Sequence, residues 1–236
     1  MFPEAIRNVE RALAVIRFGL LILRWCGIRL FLSQLAHQLY GRTVFLVTID
    51  ELDKARLLSD FQCTVKLASP DDIKELFDGL RTESPEGRYQ LLVRKWYHER
   101  GFGDCYITRD NDTNEICVVR WMVTPEHVKQ YGWEDRFPLN EDEIMLENVY
   151  TFERYRRGGA RAASNFQVKQ IALQLGHKRT RGYSDETNIP QLTWGEKAGT
   201  KVYAKILERH FLFHVTRETL ETYNPPILMK APVNSR

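Results

Sequence analysis

The 236-residue chain has little net charge, since 34 Lys and Arg stand against 31 Asp and Glu, leaving +3 at neutral pH. So small an excess gives no global electrostatic footprint for nucleic acid, and no nucleic-acid partner is expected. Its four cysteines, Cys26, Cys63, Cys105 and Cys117, form no C-x-x-C pair and no metal-ligand spacing. They read as reduced thiols of a cytoplasmic protein, and no metal is expected. Internal repeats and low-complexity tracts are also missing, which excludes solenoid and fibrous architectures. Near the N-terminus the longest uncharged apolar run, Phe18 to Leu23, stops at six residues. A membrane-spanning helix needs about 20 and a signal h-region roughly 7–15. What is present is ordinary for a globular protein, 43% hydrophobic and 28% charged residues, enough for one sizeable domain with an appendage.

Residues 1–60 differ in texture from the rest. Ala12 to Leu32 is dense in Leu, Ile, Val, Phe and Trp, yet Arg17, Arg24 and Arg29 interrupt it. On a helical wheel the charged positions fall in a little under half the circle, but Phe18, Leu21 and Trp25 share that half. Two readings stay open for residues 1–40. A basic, aromatic-bearing helix lies in a membrane interface, which would make the protein peripheral at the inner face of a membrane. Alternatively the helix packs on its own domain or on a second copy in a homodimer. Thr43 to Ile49 is β-rich, Asp50 to Ser59 is a polar connector, and both are assigned to the appendage.

Regular organisation begins at Gln62. Cys63 to Leu67 alternates as a strand, and Ser69-Pro70-Asp71-Asp72 and Ser84-Pro85-Glu86 are helix starts with a capping Ser and Pro behind it. The first helix buries Ile73, Leu76, Phe77 and Leu80, the second Tyr89, Leu92, Val93, Trp96 and Tyr97. Cys105–Arg109 and Ile116–Val123 read as a hairpin. The connection from Thr124 to Glu143 has the length of a functional or mobile loop. Lys201 to Val215 is a β-rich tract turning near Glu208-Arg209-His210, and residues 217–236, with Pro225, Pro226 and Pro232, read as a loose tail.

Between them lies Glu147 to Leu175, where a β-forming run, Val149 to Phe152, meets Arg154-Tyr155-Arg156-Arg157-Gly158-Gly159-Ala160-Arg161 and then an apolar helical pattern. Two adjacent glycines permit positive φ and close backbone approach. A helix start leaves about four N–H groups without intrahelical partners, and its dipole favours negative charge. Such a stretch is an anion cradle whose natural guest is a phosphate or pyrophosphate.

Arg156-Arg157-Gly158-Gly159-Ala160-Arg161 resembles the acyl-CoA signature Arg/Gln-x-x-Gly-x-Gly/Ala of the GNAT acyltransferase superfamily, with Arg161 at its last position. A second run, Asn188 through Trp194, Gly195, Glu196, Lys197, Ala198, Gly199 and Thr200, is similar to the family's Asn, Glu-Lys and Gly pattern. There Gly195 stands where the family often keeps a general-acid Tyr, and Thr200 replaces Phe. The order strand, helix, helix, hairpin, strand, helix, strand, helix, strand over residues 61–216 is also the family's. The resemblance implies an α+β, three-layer domain with a mixed, mostly antiparallel sheet flanked by helices, carrying the N-terminal helical appendage.

It further implies an enzyme that moves an acetyl or longer acyl group from acyl-CoA to a small-molecule or lipid-linked amine by direct attack, without a metal. The pantetheine would pair with the backbone of Val149, Tyr150 and Thr151. The pyrophosphate would sit on the N–H groups of Arg157, Gly158, Gly159 and Ala160, with Arg154, Arg156 or Arg161 adding charge and Asn188 nearby. Glu147 is the first candidate for the base that takes the amine proton, ahead of Glu143 and Glu153. Tyr150 and Tyr183 are candidates for the acid that protonates the leaving thiolate. The alternative reading is a GNAT-fold module that binds CoA or a partner protein without chemistry.

Overall fold

The computed structural model describes residues 17–78, 80, 83–211 and 214–230. Two helices come first, α1 over residues 17–26 and α2 (Ile28–Tyr40), separated by Gly27 at φ 89°. Then follow β1 (Arg42–Glu51), β2 (Cys63–Leu67), α3 (Pro70–Asp78), α4 (Pro85–His98), β3 (Asp104–Asp110), β4 (Ile116–Val123), α5 (Pro125–Tyr131) and β5 (Glu143–Thr151). The chain continues through α6 (Ala160–Gln174), β6 (Arg179–Asp185), α7 (Ile189–Ala198), β7 (Lys201–Phe211) and β8 (His214–Leu228). Helix starts obey the capping chemistry of their sequences. Ser84 Oγ accepts from Gly87 N at 3.1 Å, and Asn188 Oδ1 accepts from Gln191 N at 3.2 Å.

All eight strands join one sheet in the order β2-β3-β4-β5-β6-β1-β7-β8, antiparallel except for the β5–β6 pair. Leu76, Phe77 and Leu91 of α3 and α4 pack on one face against Ile107, Val119, Trp121, Val123 and Met145. On the other face Val168 and Ala172 of α6 pack against Tyr106, Met122 and Ile144. Leu192 of α7 closes the far end with Leu46, Val202 and Met229. The architecture is therefore the expected three-layer α+β sheet.

Several boundaries differ from the sequence reading. Residues 1–60 are not all appendage: β1 lies inside the sheet, paired with β6 on one side and β7 on the other. Its Leu46 and Val47 are buried, which is what an unbroken V-F-L-V run denotes when both faces are covered. Nor is the stretch from residue 217 a loose tail, because β8 pairs along β7 from Phe211↔His214 to Lys201↔Leu228. The prolines are accommodated because β8 is an edge strand and its register slips between Val202 and Ala204, carrying Tyr223 to Pro226 out of the ladder. Glu208, Arg209 and His210 remain in β7, opposite Arg217, Thr216 and Val215, so they form no turn. The segment 124–143 holds α5 and packs Trp133, Phe137 and Leu139 on the core, so its length reflects packed structure instead of a mobile loop. Helix α4 buries two sides: Gly87, Leu91 and Arg94 face the sheet, while Tyr89 and Trp96 meet the N-terminal helices through Gln34 and Phe18.

Candidate active site

Strands β5 and β6 run parallel for three residue pairs only, Glu143↔Arg179, Ile144↔Thr180 and Met145↔Arg181, and then part. Just past the parting β5 carries an extra residue. Trp121 pairs with Glu147 and Val119 with Tyr150, so three steps on β5 oppose two on β4. Asn148 takes the strain at φ 53°, a region that Asn enters more readily than most residues.

Arg94 of α4 holds this bulge. Its Nε donates to Asn148 O at 2.6 Å and Nη2 to Val149 O at 2.7 Å, while Nη1 donates to Gln90 O at 2.6 Å and to Gln90 Oε1 at 2.8 Å. No carboxylate ion-pairs with Arg94 among the described residues, and burial lowers its pKa to about 10, so it stays charged at neutral pH. The sequence reading passed over it, although Gly87, Leu91 and Arg94 at i, i+4, i+7 mark the stripe that faces the sheet.

The gap between the strands is a cavity of ≈ 310 Å³. Leu146 to Val149 form one wall and Thr180 to Asp185 the other, with Arg161, Asn165 and Lys169 of α6 and Gln191 and Trp194 of α7 closing it. Glu147 lies in the wall. Protein surrounds its carboxylate while the cavity leaves it partly accessible, and burial pushes its pKa up to about 7. The N–H groups of Asn148 and Tyr183 and the charges of Arg217 and Arg94 pull the other way and are outweighed. Arg161 reaches across to the side chain of Gln191. Beneath α6 the fully buried Arg120 donates to Asn165 Oδ1 and Ser164 Oγ, each at 2.8 Å, again with no carboxylate partner among the described residues. Burial, reinforced by the nearby Arg161 charge, lowers the Arg120 pKa to about 9. The surroundings are thus rich in positive charge, with Arg94, Arg120 and Arg161 outside any salt bridge among the described residues and Glu147 the acid that Arg94 feels, whereas Lys169 is paired with Asp50 at 2.9 Å and Arg181 with Glu143 at 2.9 Å.

The double glycine lies between β5 and α6. A 3₁₀ turn, Glu153–Tyr155, leads into Arg157 at φ 69° and Gly159 at φ 85°, and Ala160 opens the helix. Bonds to Gly159 O are made by Ala162 N and Ala163 N. The N–H groups of Arg157, Gly158, Gly159, Ala160 and Arg161 have no hydrogen-bond partner among the described residues. Five amides in succession at a helix start make an anion nest.

No protein-family model and no curated protein matches the sequence. Among solved structures, a functionally unknown conserved protein from Staphylococcus epidermidis is similar at TM-score 0.52 and 11% identity, over 78% of this chain and 68% of that one. The GCN5-related glucosamine N-acetyltransferase region of a fungal multi-domain GH3 β-N-acetylglucosaminidase is similar at TM-score 0.52 and 14% identity, over 75% of this chain. The fold is that of the GNAT acetyltransferases. The match spans 22% of the fungal protein's length.

Within this GNAT fold the residues singled out in the sequence separate into groups. Glu147, Val149, Arg161, Asn188 and Tyr183 line the cavity. Tyr150 does not. The extra residue in β5 turns Tyr150 toward α4, where its hydroxyl donates to Glu83, and burial with that contact raises its pKa. Its ring lies in the core, 5.4 Å from that of Phe152. Thr151 pairs with Val118 outside the cavity lining. The secondary base candidates lie outside the cavity lining: Glu143 is fully buried against Arg181, and Glu153 is bound by Ser84.

Of the clustered arginines, Arg154 pairs with Glu115 at 2.6 Å, and Arg156 leans on Glu153 at 3.6 Å and on Thr151 O at 3.3 Å. Arg157 is exposed without a partner among the described residues. Gly158 is open, with nothing nearer than Tyr155 O at 3.7 Å to an added Cβ. Gly159 is covered by Ser59, and Ala160 is buried against Cys117 and Val118.

Proposed function

We propose that the chain is an N-acyltransferase that transfers an acetyl or longer acyl group from acyl-CoA to an amine by direct attack. The observation that carries this reading is the adjacency of two features: five unbonded amides at the start of α6, and a cavity in the parted sheet with Glu147 in its wall. The nest suits a diphosphate, and Arg94, Arg120 and Arg161, in no salt bridge among the described residues, favour a polyanionic guest. From Leu146 onward β5 has no strand partner on its β6 side, and with the carbonyls of Asn148 and Val149 held by Arg94 it is the parting of the strands that gives an extended ligand its entry.

Bound acyl-CoA supplies an activated thioester. Glu147, with its pKa near 7, takes a proton from the amine directly or through water as nitrogen bonds to the acyl carbon. The C–S bond then breaks, and the proton passes on to the departing thiolate, whose own pKa of about 8.5 makes it an easy leaving group. Tyr183, which lines the same cavity, would assist that last step.

Calorimetry with CoA on Gly158→Glu tests the assignment. The position accepts a side chain without strain. A carboxylate about 5 Å from a phosphate in an effective dielectric of about 20 costs about 3 kcal/mol, roughly 200-fold in affinity. Unchanged affinity would refute the site. Thiol release from acetyl-CoA with a panel of amines separates an enzyme from a binding module, which would bind CoA without turnover.

A further inference from the structure

We propose that α1 and α2 form a docking surface for an anionic lipid bilayer. The two helices fold against each other, since a Cβ on Gly19 would lie 3.3 Å from the Phe31 ring. Their inner side is anchored to the domain. Ile22 is buried, Phe18 meets Trp96 at 6.0 Å, Tyr89 Oη donates to Gln34 Oε1 at 2.7 Å, and His37 lies 4.8 Å from His210 of β7.

The outer side is different. Leu20 at 60% exposed, Ile28 at 58% and Leu32 at 54% stand in water with Leu21 and Leu23, and the exposed Arg17, Arg24 and Arg29 are interleaved with them. At 100° per residue, residues 17, 20, 21, 23 and 24 share one arc of α1, opposite Phe18 and Ile22. Exposed leucines at this density mark an interaction face.

Charge selects the occupant. No Asp or Glu occurs from Arg11 to Ile49. A second copy docking through the same patch would set arginine against arginine, since neither α1 nor α2 carries an acid of its own in residues 17–40. A negatively charged bilayer takes both components, arginines at the headgroups and leucines at the acyl boundary. No helix among the described residues is long and apolar enough to cross a membrane, so the contact is interfacial.

Co-flotation of the full chain with vesicles tests this. Binding is expected to phosphatidylcholine vesicles containing roughly 30% phosphatidylglycerol, to be weak on phosphatidylcholine alone, and to fall as salt rises toward about 0.5 M. Arg17→Gln/Arg24→Gln/Arg29→Gln should weaken binding by about 100-fold, from roughly fivefold per arginine. Leu20→Gln/Ile28→Gln should weaken it by about tenfold or more. All five side chains are on the surface, so circular dichroism is expected to be unchanged in both variants. Equal binding to neutral and anionic vesicles, or no binding to either, overturns the proposal. So does a concentration-dependent dimer in sedimentation that Leu20→Gln/Ile28→Gln dissolves while vesicles fail to bind.

Discussion

Replacing Glu147 by Gln separates the base role from a structural role because the same carboxylate must show itself in two measurements. Its pKa rises from the ordinary 4.5 to about 7 through burial. At pH 6, 7 and 8 about 10%, 50% and 90% of the carboxylate is then ionised and able to accept a proton. The quantity kcat/KM should climb with unit slope below about pH 7 and level above it. The acceptor should be an amine whose own pKa lies below about 6, so that its titration does not mimic the enzyme's. In Glu147→Gln the rate should drop by about 10²–10⁴ and the pH limb should vanish.

Stability moves in the opposite sense. A carboxyl whose folded pKa is raised binds its proton more tightly when folded, so the native state loses stability as pH climbs from about 4.5 to about 7. The loss is at most about 3 kcal/mol, reduced by whatever screening cavity water provides. Urea unfolding at pH 5 and pH 8 should therefore show the wild type losing ground to Glu147→Gln at the higher pH. A stability difference independent of pH, or an unaltered pH–rate profile in the variant, would refute the reasoning.

Arg94→Leu should cost roughly 2–5 kcal/mol in urea unfolding, because the carbonyls of Asn148 and Val149 lose their donors inside the protein. Tyr150→Phe should leave kcat within about threefold while lowering stability by roughly 1–2 kcal/mol, since its hydroxyl serves Glu83 and faces away from the cavity; a loss of turnover above tenfold would restore the residue to the chemistry. Gly159→Ala should destabilise by roughly 1–3 kcal/mol, as a residue at φ 85° gains a Cβ that strikes Ser59 Oγ, whereas Gly158→Ala should be near neutral in the same thermal melt.

The helices were legible where capping chemistry and periodicity agreed. Ser84-Pro85, Asn188 and Gly199 mark helix ends that the structure repeats. The double glycine was legible as a strand-to-helix turn because one of the pair, Gly159 at φ 85°, holds a backbone that few other residues adopt. Misreadings arose where a local signal had two meanings. Prolines beyond Tyr223 suggested a loose end, yet an edge strand tolerates them. The aromatic length of 124–143 suggested a mobile loop, yet Trp133 and Phe137 are core residues. The run Thr43–Ile49 reads as a strand from its composition, but no local property says which strands it pairs with.

Local chemistry in the chain thus determined the kinds of element, their order and the glycine turn before α6, since these depend on contacts between residues a few positions apart. Long-range pairing decided the rest: β1 between β6 and β7, the extra residue that turns Tyr150 away from the cavity, and Arg94 reaching two carbonyls more than fifty positions along the chain. Glu147 acquires its raised pKa in the same way, because desolvation by remote segments is a property of the assembled fold.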